Sequence, residues 1–278
     1  MFGFCLAAVR ALCPVGIENA YRGDRNAPRS RRCGAPIGFV HRNTNRKEHP
    51  MSTNPKAIDG SELAKASGGQ QVQGTSGNDN IFTGNEADLV FGNAGHDLII
   101  TQGGDDQVQA GEGSDEVVAG DGQDLVFGQG GNDVLYGNAG NDQLQGGEGN
   151  DIVDGGAGRD QLFGQEGNDI IDGGNRDGAA DYAEGGAGND IFVWSPGGGN
   201  DTFQGGSGQD LVSLPTVTLD QLRAGLNLWT GGLEMAVNSL GQVSFFNAQG
   251  QPASFSGQLT IGGETLTFQD VEKLQIKF

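Results

Sequence analysis

The sequence predicts an all-β chain in which short parallel strands wind into a solenoid over residues 74–213, closed by a small β-rich cap at 214–278. Three observations carry this. Between residues 74 and 172 an aspartate recurs every nine residues without a slip; an aliphatic residue follows it by two positions and a glycine precedes it by two, Glu86 being the one exception. Glycine makes up 52 of the 278 residues, and no cysteine follows Cys33. Residues 74–213 hold 26 acidic side chains against two basic ones, Arg159 and Arg176, within a whole-chain charge of −20.

The segments ahead of the array differ from it in composition. Residues 1–50 carry 9 of the 16 Lys and Arg and all three cysteines, Cys5, Cys13 and Cys33. The stretch FGFCLAAV is apolar, but no positive segment precedes it and no small-residue cleavage site follows, which disfavours a cleaved signal peptide. Met51 opens a second, polar start. Residues 1–50 therefore read as a basic extension, either disordered or assigned from the wrong start codon. Residues 51–73 read as a polar leader with one short helix around Glu62–Lys65. No run approaches the roughly 20 apolar residues that a membrane helix needs.

A strict internal period dictates architecture before any single element is assigned. The array aspartates are Asp79, Asp88, Asp97, Asp106, Asp115, Asp124, Asp133, Asp142, Asp151, Asp160 and Asp169. The aliphatic partners run from Ile81 through Val90 and Leu135 to Ile171. The residues around each aliphatic alternate like a short strand with one side chain turned inward. The glycine-rich remainder is a turn, since glycine and, less readily, asparagine accept left-handed backbone angles. Two repeats make one 18-residue turn with a strand on each side, and successive turns stack about 4.8 Å apart.

One inward side chain per strand buries little. At ~25 cal/mol per Å² it does not offset ordering nine residues at about 1–2 kcal/mol each. Something else must hold the coil. Stacked turns place Asp over Asp with backbone carbonyls close by, an all-oxygen cage suited to a hard cation with about six to eight ligands. Calcium fits better than magnesium, which demands tighter octahedral geometry. Zinc is disfavoured, because the array offers only His96 and no cysteine. The uncompensated acidity opposes compaction until cations bind. It also makes nucleic acid or an anionic membrane surface an unsuitable partner.

The clearest copies read GGEGNDIVD (146–154) and GGAGRDQLF (155–163). Their pattern, G-G-x-G-x-D-x-aliphatic-x, resembles the RTX, or hemolysin-type calcium-binding, repeat, and the resemblance covers about 74–213. It implies a right-handed parallel β-roll with Ca²⁺ held between one turn and the next but one on the same side. The eleven aspartates above would then be ligands, joined by Asp190 in GGAGNDIFV and Asp210 in GGSGQDLVS. Eleven strict copies allow at most nine such ions. The resemblance further implies a secreted, extracellular protein, exported by a type I secretion apparatus that reads an uncleaved C-terminal signal within 214–278 and folding on meeting calcium outside. Departures from the pattern mark weak places. These are Thr75 and Glu86 in the first copies, the three-residue insertion ahead of Asp181, and the stretched loop 195–200 ahead of Asp201.

In the tail, Thr218 and Gln221 have the spacing of a helix capping box, predicting a helix near 218–225. The stretches QVSFF, QLTI, TLTF and KLQIKF read as antiparallel strands. A cap of this kind is needed because the last turn of a solenoid leaves an unpaired edge. The acidic pairs Asp105–Asp106 and Asp115–Glu116 read as a ligand beside a solvated neighbour rather than as general acid and base. His96 is expected to be exposed, and Trp194 and Trp229 to pack at the C-terminal end of the roll. Phe91, Phe127 and Phe163 alternate with Gln109 and Gln145, and should line one outer face two turns apart.

The chain is expected to be a calcium-binding structural or surface and matrix binding module rather than an enzyme. Only residues 1–73, too short and polar for a catalytic domain, precede the roll, and the tail lacks histidine and cysteine. The alternative is a non-catalytic calcium-binding module, or a small relative, of a secreted RTX protease, lipase, epimerase or lyase.

Overall fold

Each nonapeptide forms one strand and one turn, and as far as Leu211–Leu214 successive strands alternate between two sheets, each of twelve strands among the described residues. The computed structural model describes Lys56–Ala57, Ala64–Lys65, Gly69, and residues 71–174 and 177–277; the basic segment 1–50 lies outside them. Within the array each strand pairs in parallel with the strand 18 residues on, as Leu135 does with Val153 and Leu144 with Leu162. The pairing runs past the aliphatic residue into the glycines. Gln143–Glu148 and Leu125–Gly130 are six-residue strands, longer than the three residues the alternation suggests. Stacked copies of one turn satisfy each other's backbone N–H and C=O groups wherever the chains lie parallel, whatever the side chain.

That stacking is tight at the glycine two residues before the repeat aspartate. Gly149 has φ +130°, and a Cβ there would overlap the carbonyl oxygen of Gly131 one turn below. The inward aliphatics, among them Val126, Leu135, Leu144 and Val153, are fully buried. Toward the C-terminal end the interior widens to hold rings, with Phe192 stacked on Phe203 at 5.0 Å between centroids.

Three expectations are corrected. The stacking begins ahead of Gly74: Ala64 and Lys65 pair in parallel with Ile81 and Phe82, and Gln71–Gln73 with Leu89, Val90 and Phe91. Of the stretch Glu62–Lys65 expected to be helical, Ala64–Lys65 is thus strand, while Glu62 and Leu63 lie outside the described residues. A helix of one turn gains too little by propagation to compete with an open sheet edge. Next, the tail is only partly antiparallel. Glu264–Val271 and Lys273–Ile276 pair in parallel with Thr202–Gly208 and Leu211–Leu214, adding a further turn to the roll. Phe255–Ile261 and Gln242–Phe246 then continue the two sheets antiparallel. Finally, Trp194 is buried as expected, but Trp229 is 52% exposed. It follows Leu226–Leu228, the last strand of its sheet among the described residues.

Other features agree with the sequence. The helix Leu219–Gly225 carries its capping box, with Gln221 N–H donating to Thr218 Oγ1 and Thr218 N–H to Gln221 Oε1. Phe91, Gln109, Phe127, Gln145 and Phe163 stand in register on one face. The two interruptions change the spacing of paired strands from 18 to 21 residues (Gln161 with Tyr182) and then 20 (Tyr182 with Thr202), yet no strand slips face. Among the described residues, no helix is long and apolar enough to cross a membrane.

Candidate metal centre

The parallel register places the repeat aspartates in two columns, each carboxylate one turn from the next. Asp79, Asp88, Asp97, Asp106, Asp115, Asp124, Asp133, Asp142, Asp151, Asp160, Asp169, Asp190 and Asp210 are all at most 3% exposed. Each column is tied by one repeating hydrogen bond, in which an aspartate's N–H donates to Oδ1 of the aspartate in the next turn. Asp115 donates to Asp133 at 2.8 Å, Asp124 to Asp142 at 2.9 Å and Asp190 to Asp210 at 2.9 Å. The columns pass through the weak places too. Asp88, in the copy containing Glu86, donates to Asp106 at 2.7 Å. Asp160 donates to Asp181, and Asp181 to Asp201, both at 2.9 Å.

The second carboxylate oxygen is left over. Oδ2 of Asp97, Asp106, Asp115, Asp124, Asp133, Asp142, Asp151, Asp160, Asp169, Asp181, Asp190 and Asp210 is buried with no hydrogen-bond partner. At Asp79 the N–H and hydroxyl of Thr75 take Oδ2, so the orphan there is Oδ1. The first glycine of the motif shows where these oxygens point. A Cβ on Gly137 would meet both Asp142 Oδ2 and the carbonyl oxygen of Gly155 in the next turn of its column. The same pairing surrounds Gly128, with Asp133 and Gly146, and Gly185, with Asp190 and Gly205. A carboxylate oxygen and a carbonyl oxygen thus converge in a space that only glycine leaves open.

Burial without a counter-charge is costly, and the carboxyls record it. Burial pushes Asp133, Asp142 and Asp169 up to about 7; the donated backbone N–H opposes this and the carboxylates one turn either side add to it. Asp97, Asp124, Asp160 and Asp190 rise to about 6 for the same first cause. An ionised carboxylate held this way lacks about half its ligands, and a buried unsatisfied group costs about 1–3 kcal/mol or more when charged. Among the described residues, no three acidic or histidine side chains gather at one point. A cation would therefore have to take most of its ligands from turn carbonyls, an all-oxygen set that fits a hard divalent ion.

The chain matches the RTX calcium-binding nonapeptide repeat (4 copies) over residues 73–108, 109–144, 127–162, 145–175, 177–193 and 197–213. The chain belongs to the RTX calcium-binding repeat family. No curated protein matches it.

Within this RTX roll, every aspartate that the repeat pattern singles out joins a column. Asp181 and Asp201, which the insertions were expected to disturb, join as well, at 4% and 3% exposure. The strands that flank both interruptions stay paired in register, which the spacing in sequence alone does not reveal. In the acidic pairs, Asp106 and Asp115 lie inside while Asp105 and Glu116 are exposed, and His96 is exposed. One further acid, Glu272, enters a column from outside the repeats: Asp210 N–H donates to its Oε2 at 2.7 Å. Its signal in the sequence is faint, the four residues Glu-Lys-Leu-Gln at 272–275 standing where a repeat has Asp-x-aliphatic-x.

Proposed function

We propose that this chain is a secreted, non-catalytic calcium-binding protein whose roll folds on meeting extracellular Ca²⁺ and then serves as a structural or surface and matrix binding module. The observation that carries this reading is the row of buried carboxylate oxygens without partners, which at Asp97, Asp133, Asp142, Asp169 and Asp190 stand beside a carbonyl of the next turn. The repeat aspartates from Asp79 to Asp169, with Asp190 and Asp210, would hold the ions, up to nine in the strict array. Bound calcium neutralises the columns and supplies the ligands that the second oxygens lack. A cytoplasm low in calcium then leaves the acidic chain unfolded and suitable for export by a type I apparatus, with residues 214–278 carrying the signal. The test is expression in cells with and without such an apparatus. The intact chain should reach the medium only with it, and removal of 214–278 should keep it inside; release that survives this truncation would contradict the export route.

Calcium and protons compete for the same oxygens. The folded carboxyls of Asp106, Asp133 and Asp142 lie near 7, above the usual carboxylate range of about 4. In the metal-free roll these groups stabilise folding fully below about pH 4 and lose that contribution as pH rises through 7. Calcium binding should therefore release protons at pH 6 and almost none at pH 8.5, with affinity falling on acidification. Calorimetry in two buffers of different ionisation enthalpy reads the released protons directly.

A further inference from the structure

The cap does more than cover the last turn. Leu211–Leu214 pairs in parallel with Lys273–Ile276, Leu211 opposite Lys273 and Val212 opposite Leu274. Glu272 therefore stands one turn beyond Asp210, as Asp210 stands beyond Asp190. It accepts the Asp210 N–H, as Asp210 accepts that of Asp190. The backbone bond that comes with this register is present too: Lys273 N–H donates to the Asp210 carbonyl at 3.1 Å, as Leu211 N–H does to the Asp190 carbonyl at 2.8 Å.

The open space beside the first motif glycine is also reproduced. A Cβ on Gly205 would meet Asp210 Oδ2 and the carbonyl oxygen of Asp270, whereas inside the roll the matching carbonyl belongs to a repeat residue, such as Gly155 beside Gly137. Asp270 reaches this position with a left-handed backbone, φ +52°. Asp210 is 1% exposed and its Oδ2 has no hydrogen-bond partner. A buried orphan carboxylate oxygen thus lies beside the Asp270 carbonyl, and its own residue's N–H is taken by Glu272; both partners lie outside the repeat match, which ends at 213.

We propose that Asp210, the Asp270 carbonyl and Glu272 form a composite site for a hard divalent cation of the calcium class, half of it built by the cap. This rests on the calcium reading of the roll and deepens it. The site is complete only when Lys273–Ile276 has paired with Leu211–Leu214, so ion binding there fastens the cap to the roll. Glutamate in place of aspartate gives the cap a longer reach across the joint.

The test uses the full chain with calcium alone as the probe. Glu272→Gln keeps the hydrogen-bond acceptor and removes the charge. It should bind one ion fewer than the parent at saturation. The calcium concentration at which residues 214–278 become protease-resistant should rise about tenfold, since ligand charge tunes affinity. The far-UV midpoint of the roll should move less than twofold. An unchanged ion count and unchanged cap protection in Glu272→Gln, with the parent binding calcium normally, overturns the composite site and leaves the roll reading intact. A parent that binds no calcium overturns both. Hydrogen exchange on the unmutated chain gives an independent check, should the variant not fold. Amides of Lys273–Ile276 should gain protection only as calcium is added, and equal protection in chelator overturns the proposal.

Discussion

Gly149→Ala is expected to disrupt the roll at its middle, at a cost of more than about 3 kcal/mol. Two effects add. The backbone at Gly149 sits at φ +130°, where an L side chain is strained. The new Cβ would also overlap the Gly131 carbonyl oxygen and crowd the Asn132 side-chain oxygen. That carbonyl belongs to a turn stacked at sheet spacing, about 4.8 Å away, so relief requires parting the stack rather than rotating a side chain. Gly231→Ala is the control: nothing lies within 4 Å of a Cβ there, and the change should stay within about 0.5 kcal/mol. Denaturant unfolding in saturating calcium compares the two. Equal stability of the variants would mean that the turns are not stacked as described.

Asp142→Asn is expected to act in opposite directions with and without calcium. Asparagine retains an oxygen to accept the Asp124 N–H, so the column itself survives. In calcium the variant loses a charged ligand, should bind at least one ion fewer, and should need about tenfold more calcium to fold. In chelator the sign reverses. Burial pushes the Asp142 carboxyl up to about 7, so at pH 8 its charge opposes folding, and the neutral amide removes that penalty of roughly 2–4 kcal/mol. The gain should fade as pH falls and vanish below about 4, where both states of the parent bind the proton. Residual β-structure in chelator, measured by circular dichroism at pH 8 and pH 4, distinguishes this from a structural role. A variant destabilised equally in calcium and chelator would make Asp142 a packing residue.

The period made the roll legible because every level of the sequence repeats together. Glycine, aspartate and aliphatic residue each recur at nine, so strand, turn and buried carboxylate are specified by the same residues. What escaped was whatever lies outside the period. Ala64–Lys65 stacks on the N-terminal edge although its sequence has no strand character; the open edge of the sheet supplies the hydrogen bonds, and two residues suffice. The register across Asp181 and Asp201 also escaped, because a loop's length in sequence says nothing about whether it bulges outward or shifts the strands behind it. Glu272 escaped because a single copy of a degenerate pattern carries no period. Trp229 was misplaced for a related reason: large apolar size predicts burial on average, but an edge strand has an open side.

The central claim is that calcium, not the narrow apolar interior, makes this roll fold. Far-UV circular dichroism of the full chain during a calcium titration at pH 7.5 tests it most directly. The expected result is a largely unfolded chain in chelator that gains β-structure cooperatively near about 10⁻⁴–10⁻³ M Ca²⁺, with magnesium failing to substitute. A spectrum already rich in β-structure in chelator, and unmoved by calcium, would contradict it.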